Sequence, residues 1–347
     1  MKKNISFIIL LILIFSIITA VIINIKNPKR KNNDGKIEVV ATLFPQYDFV
    51  KQIGGDKVNV TLLLPPGSES HTYEPTPQDM VLINESDMFI YTGEEMEPWA
   101  ENLISGVKKD INVLDLSKTV KLINVEEFEE EHEEHTNHKD SEEHSDDEHE
   151  HEHEHEHEHE HNHTHTGDGH NHTYDPHIWL NPQYAIKMVE SIENELSRID
   201  PENASYYKKN AQNYISQISE LDEEIENTVN NSSNPKIAFG GAFAYAYFVE
   251  RYNLDFISAY ETCGESAEPS TVQVKEVIDY INENKIPVIF YKEYTTGNIA
   301  KTISEATGTK MLVFNTVHNV SKDEMNNGAT YVSIMKDNLE NLKQALK

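Results

Sequence analysis

The histidines of this 347-residue chain are unevenly placed, and their placement is the first clue to chemistry. Fifteen of the 18 lie between His132 and His172, many alternating with glutamate in the run EHEHEHEHEHEH. The other three, His71, His177 and His318, stand alone in "PPGSESHTYEPTPQDM", "DPHIWLNP" and "VFNTVHNVS". A neutral imidazole is a strong metal donor. Three of them at about 2.0–2.1 Å suit tetrahedral zinc with one position left for water, whereas manganese prefers more ligands and an oxygen-rich shell. Copper or nickel would also accept such donors, so the imidazole count favours zinc without excluding other divalent metals.

For these three residues to meet, the elements around them must bring distant parts of the chain together. From Lys36 the sequence alternates short apolar, β-branched runs with amphipathic stretches: "KIEVVATLF", "VNVTLLLP", "DMFIYTG" and "INVLDLS". A second set, "PKIAFGG", "LDFISAY", "IPVIFYKEY" and "KMLVFNTV", occupies the C-terminal third. Such alternation predicts parallel sheets with crossover helices. Between the sets, Asn181-Pro182 reads as a helix cap followed by proline at the first helical position. Further on, Tyr207, Ala211, Tyr214, Ile218, Leu221 and Ile225 recur every three or four residues, one apolar stripe along a long helix. The expected fold is therefore α/β, with two lobes, each a parallel-type sheet with flanking helices, joined by that helix across a cleft. Ligands of open parallel sheets bind beyond the carboxyl ends of the strands. His71 and His318 follow predicted strands and His177 precedes a helix start, so all three are expected in loops that face the cleft.

The strings "VVATLFPQYDFVKQIGGDKVNVTLLLPPGSESHTYEPTPQDM", "DPHIWLNP", "EPSTVQVKEVIDYI" and "YVSIMKDNLENLKQAL" resemble the solute-binding proteins of zinc and manganese ABC importers. The resemblance covers essentially Lys36 to Lys347. It implies a rigid linking helix, a metal site between the lobes and delivery of the ion to a membrane permease. It also implies that His71 and His177 are the first two ligands. The family's third ligand, a His or Glu just after the first strand of the second lobe, has no counterpart in "IAFGGAFAYAYFVERYNL", which holds no His and no carboxylate before Glu250. The fourth, commonly an acid, falls close to Asn315, and His318 three residues on is expected to take over. Glu261, Cys263, Glu268 and Glu293 are alternative ligands, although Glu268 more naturally braces a helix start.

The acidic, His-rich run holds 20 Asp and Glu against Lys139 between Glu126 and Asp168, so it supplies 19 of the formal −31 net charge. Dense like charge without apolar residues leaves nothing to bury, and disorder is expected. So many imidazoles imply a loose metal collector, tethered close to His177. At the N-terminus, Ile5 to Ile25 carries no charge and is long enough to cross a bilayer of about 30 Å. Lys2 and Lys3 suit a cytoplasmic end, so the rest of the chain is expected outside the cytoplasm, tethered by this helix or exported after signal cleavage. The single cysteine, Cys263, gives no disulfide framework and no N-terminal lipid site.

The expected organisation is 1–35 signal or anchor, 36–125 first lobe, 126–174 disordered His-rich loop, 175–198 end of the first lobe, 199–232 linking helix and 233–347 second lobe. No basic patch points to nucleic acid. The partners expected are a divalent metal ion and an ABC permease, with the protein itself a monomer and not an enzyme. A secreted zinc hydrolase is the competing reading, since three His plus water is also a catalytic pattern. The chain lacks an HExxH helix, however, and has no carboxylate obviously placed as a general base.

Overall fold

The computed structural model describes residues 35–68, 70, 73–107, 111–136, 173–260 and 269–347. The expected anchor, most of the His-rich run, His71, Glu261, Cys263 and Glu268 lie outside the described residues. Glu38–Lys347 forms one compact unit.

All eight apolar runs form strands. The first sheet contains β1 (Ile37–Ala41), β2 (Val58–Leu62), β3 (Met88–Tyr91) and β4 (Asn112–Asp115), in the order β2-β1-β3-β4. Helices α1 (Phe44–Gly54), α2 (Pro77–Glu85) and α3 (Ala100–Ser105) connect them, and α4 (Val125–Thr136) follows. Next come α5 (Pro182–Ile199) and α6 (Ala204–Asn230). The second sheet repeats the order of the first as β6-β5-β7-β8, with β5 (Lys236–Phe239), β6 (Asp255–Ser258), β7 (Val288–Tyr291) and β8 (Lys310–Val313). Its helices are α7 (Ala246–Tyr252), α8 (Thr271–Asn284), α9 (Asn298–Thr307), α10 (Lys322–Asn326) and α11 (Tyr331–Ala345). The pairings β1–β3, β3–β4, β5–β6, β5–β7 and β7–β8 are parallel.

Each sheet has its own core. In the first, Val40, Phe89 and Tyr91 pack with Ile83, Ala100 and Leu103 of the covering helices. In the second, Ala238 and Ile289 pack with Val277, Ile281, Ala300 and Ile303. Helix α6, 27 residues and so about 40 Å long, bridges the two. Its stripe of Tyr207, Ala211, Tyr214, Ile218, Leu221 and Ile225 is buried, as its spacing requires. Toward the first lobe, the Asn210 amide donates to the Ile53 carbonyl (3.0 Å) and the Tyr214 hydroxyl donates to Asp48. Toward the second, buried Asp222 accepts from Arg251 (2.8 Å) and the Tyr252 hydroxyl (2.7 Å) of α7. The helix thus grips both lobes by polar anchors at fixed positions along its length.

The caps follow the sequence. Thr76 caps α2 ahead of Pro77, and the Asn181 side chain accepts from the Gln183 amide (2.9 Å) at the start of α5. One expectation fails at its edge. The segment read as disordered from Glu126 begins as helix α4, running to Thr136. Asn124 accepts from the Glu127 amide (3.1 Å), and Phe128 stacks on Phe243 (6.2 Å) and Phe256 (5.9 Å) of the second lobe. A single aromatic anchor and a cap order a stretch whose charge density alone argued against structure. His132, first of the His-rich run, packs its ring at a tilt against Phe128 (4.4 Å) and edge-on against Phe256 (5.0 Å) and so belongs to this folded stalk.

Candidate metal centre

Of the three isolated histidines, the described residues contain two, and both are buried at 2% exposure. His177 precedes a short 3-10 turn, Ile178–Leu180, that leads into α5. Asp175, two residues earlier, accepts from the His177 backbone N–H (2.7 Å), and the same carboxylate oxygen lies 3.0 Å from His177 Nδ1. An ionised carboxylate can only accept, so Nδ1 is the donor, and in the neutral ring the lone pair then lies on Nε2. This is the outer-shell arrangement that orients a metal-binding imidazole.

His318 follows β8. Its Nδ1 contacts the Thr316 hydroxyl and lies 3.3 Å from Glu293 Oε1. Glu293, just beyond β7, spends both oxygens on this loop, accepting the Thr316 N–H (2.9 Å) and the Thr316 hydroxyl (2.5 Å). Burial pushes its carboxyl up, but the hydrogen bond and positive charge available from His318, with the Thr316 donors, outweigh that and hold it below its ordinary value. The backbone here is strained: Val317 has φ +62°, a left-handed conformation unfavourable for a β-branched residue, and Tyr294, beside Glu293, has φ +57°. Such conformations cost on the order of 1–3 kcal/mol and persist only where the surroundings over-determine them. Here the surroundings do so. Asn315 exchanges two hydrogen bonds with Asn338 of α11, donating its N–H (2.7 Å) and accepting at its carbonyl (2.8 Å), and its side chain accepts from the Val317 N–H (2.6 Å).

The loops of His177 and His318 are joined, and the His318 loop also reaches the stretch 65–68. The Trp179 indole donates to the Thr316 carbonyl (2.7 Å), joining the residue two past His177 to the residue two before His318. The Asn319 amide donates to the carbonyls of Pro65 (2.9 Å) and Ser68 (2.8 Å), on the stretch that leads to His71. The Phe44 N–H donates to the His318 carbonyl (3.1 Å). Second-lobe Tyr247 reaches the base of the His-rich run, accepting from the Ile123 N–H (3.0 Å) and donating to the Asp175 carbonyl (2.9 Å). Beside Asp175 opens a cavity of about 320 Å³ that Glu94, Glu95, Glu101 and Asp115 help to line.

The place where the resemblance implied a third ligand is filled by rings. After β5, Phe243 stacks on Phe256 (4.4 Å) and Tyr245 on Phe239 (4.6 Å), and Ala242 and Ala244 are also buried. Of the alternatives, only Glu293 is described, and its Oε1 lies 3.3 Å from His318 Nδ1. Sequence reasoning missed Asp175 and Thr316. A carboxylate two residues before a histidine was a local signal available for Asp175. Thr316 and Glu293 are 23 residues apart, and nothing in the chain's periodicity pairs them.

Residues 39–345 match the family described as ZnuA, zinc-uptake complex component A, periplasmic. The chain belongs to this family. Among ZnuA-type relatives, the high-affinity zinc uptake system protein ZnuA of Bacillus subtilis is 33% identical over 312 residues, 90% of this chain and 88% of that protein. The zinc-binding lipoprotein AdcA of Streptococcus pneumoniae is 31% identical over 315 residues, 91% of this chain but 57% of that protein, so this chain spans little more than half its length. The crystal structure of the Zn(II)-bound ZnuA-like domain of that AdcA has a TM-score of 0.69 at 28% identity, covering 90% of this chain and 99% of the domain. The metal-dependent lipoprotein YcdH from Bacillus subtilis gives 0.69 at 30% identity, again over 90% of this chain, and 99% of its own. The paired parallel sheets are thus the ZnuA-like architecture expected from the motifs.

Proposed function

We propose that this chain is the extracytoplasmic zinc-binding component of an ABC importer, which captures zinc through His71, His177 and His318 and passes it to a membrane permease. The observation that carries the reading is a repeated device: two buried imidazoles, from loops joined by the Trp179 to Thr316 hydrogen bond, each have Nδ1 engaged by an acceptor on the protein. Nitrogen donors fit zinc better than manganese. The names of the ZnuA and AdcA relatives and the Zn(II)-bound structure point to the same ion. A site with three imidazoles and an open position, divided between loops of two lobes, suits a carrier that must also release its cargo. The acidic cavity beside Asp175 raises the local cation concentration next to His177, and the His-rich run that starts from the α4 stalk acts as a looser collector.

The apolar run Ile5–Ile25 tethers the protein outside the cytoplasm or serves as its export signal. The protein works as a monomer, with 1–35, 36–125, 126–174, 175–198, 199–232 and 233–347 as its functional divisions, amended by the helical start of the third. Binding is favoured over hydrolysis because the ZnuA and AdcA relatives are named for zinc uptake and zinc binding. The test is a chelator-competition titration of the full chain with zinc. One tight zinc is expected, lost in His177→Ala with the weak sites kept, whereas an unchanged tight site in that variant overturns the assignment.

A further inference from the structure

We propose that Thr316 and Glu293 act as a hydrogen-bond relay that fixes the tautomer of His318 and so presents its Nε2 lone pair to the metal; the inference rests on His318 being a ligand. The direction of the relay follows from counting protons. The Thr316 hydroxyl has one proton, and it is donated to Glu293 Oε1 at 2.5 Å. The contact between Thr316 Oγ1 and His318 Nδ1 then needs a proton from the ring, so Nδ1 is the protonated nitrogen. In the neutral ring Nε2 is then the unprotonated nitrogen, as coordination requires. The second Glu293 oxygen accepts the Thr316 backbone N–H, which stops the carboxylate from turning away.

Glu293 therefore serves as a positioning residue rather than a metal ligand. It does at long range what Asp175 does for His177 from two residues away. The relay also accounts for the strain. Thr316 and His318 must both turn toward Glu293 from the two sides of Val317, and with Val317 in the left-handed region the two side chains meet over one carboxylate. The energy stored at Val317 is held by the Asn338 and Trp179 hydrogen bonds to the same loop.

The relay makes a claim about proton position that a merely structural role for Thr316 does not. Long-range proton–nitrogen NMR of the zinc-free full chain, with the His318 signals identified by their loss in His318→Ala, should report the Nδ1–H tautomer. The Nε2–H tautomer there would overturn the relay. In zinc competition, Thr316→Val, which keeps shape and removes the hydroxyl, should weaken the tight site by roughly 10- to 100-fold, the usual range for an outer-shell partner. Glu293→Gln should do the same, because an amide N–H facing Thr316 reverses the direction of donation. Thr316→Ser should stay within about threefold of the parent, since it restores the hydroxyl. If both Thr316→Val and Glu293→Gln stay within twofold while His318→Ala loses the site, the relay is wrong and the ligand assignment stands. If His318→Ala itself keeps the tight site, the ligand assignment fails. Should Thr316→Val not fold, the tautomer in the parent chain still decides.

Discussion

His177 and His318 solve one problem in two ways. At His177 the orienting carboxylate is two residues away, and a single oxygen of Asp175 receives both the backbone N–H and Nδ1. At His318 the orienting group comes from another strand end, acts through a hydroxyl, and needs a strained residue with a web of asparagine contacts to hold it. The first mounting is local and survives small shifts of its surroundings; the second depends on the whole end of the second sheet. Two buried glutamates extend the contrast between the lobes. Glu97, in the first, receives only neutral donors, from Thr42, Thr92 and Gly93, and burial pushes its carboxyl up to about 7. Glu293, in the second, faces an imidazole and is held low. Burial alone does not set the charge of an interior acid; the hydrogen bonds it receives do.

Loss of a ligand has the largest expected effect. Structural zinc sites are worth about 10–16 kcal/mol, so one donor of three or four corresponds to roughly 1,000-fold in affinity, about 4 kcal/mol. His71→Ala, His177→Ala and His318→Ala should each approach that loss in zinc competition. A loss at His177 with none at His318 would break the comparison, by showing that the elaborate mounting serves another purpose.

The pH dependence of stability comes next. Because the folded-state pKa of Glu97 lies above the unfolded value of 4.5, the folded chain binds the extra proton. Its contribution to stability is complete below about 4.5 and is lost as pH rises through about 7. Glu97→Gln mimics the neutral acid. Relative to this variant, the parent should lose on the order of 3 kcal/mol of unfolding free energy between those limits. Denaturant curves at several pH values that run parallel for the two proteins would contradict the raised pKa.

Exchanging the orienting acids for amides should separate the two mountings. Asp175→Asn can keep both hydrogen bonds through one oxygen, so thermal stability should hold while zinc affinity falls by about 10-fold. Glu293→Gln leaves one Thr316 donor facing an amide N–H. It should cost about 1–3 kcal/mol of stability in addition to weaker zinc binding. Equal thermal shifts in the two variants would remove the distinction between local and distant support.

The smallest effect belongs to the stalk. Phe128→Ala removes a half-buried ring and its stacking on Phe243 and Phe256, for a loss of about 1 kcal/mol with the tight zinc site intact. A loss of tight zinc would mean that the stalk, and not only the loops, supports the site.

The sheets, their caps and the long helix were legible because each depends on short-range periodicity: β-branched runs for β1 to β8, Asn181-Pro182 for the start of α5, and the stripe from Tyr207 to Ile225 for α6. His177 and His318 could be picked out by their isolation from the His-rich run. The supports of His318 could not, since Glu293, Thr316, Asn338 and Trp179 are brought together only by tertiary folding. Helix α4 was misread for a related reason. Its composition argues for disorder, and only the second-lobe partners of Phe128 reverse that. A deletion meant to remove the His-rich run should therefore start after Thr136 and leave the stalk in place.

The central claim is that the tight metal is held by His71, His177 and His318, bound through Nε2 of each ring. Anomalous diffraction at the zinc edge, from crystals of the protein grown with one equivalent of zinc, tests it directly. The account predicts one strong peak at about 2.0–2.1 Å from Nε2 of His71, His177 and His318, with Nδ1 of His177 facing Asp175 and Nδ1 of His318 facing Thr316 and Glu293. A peak elsewhere, or a zinc bound through Nδ1 or by Glu293 in place of His318, would contradict it.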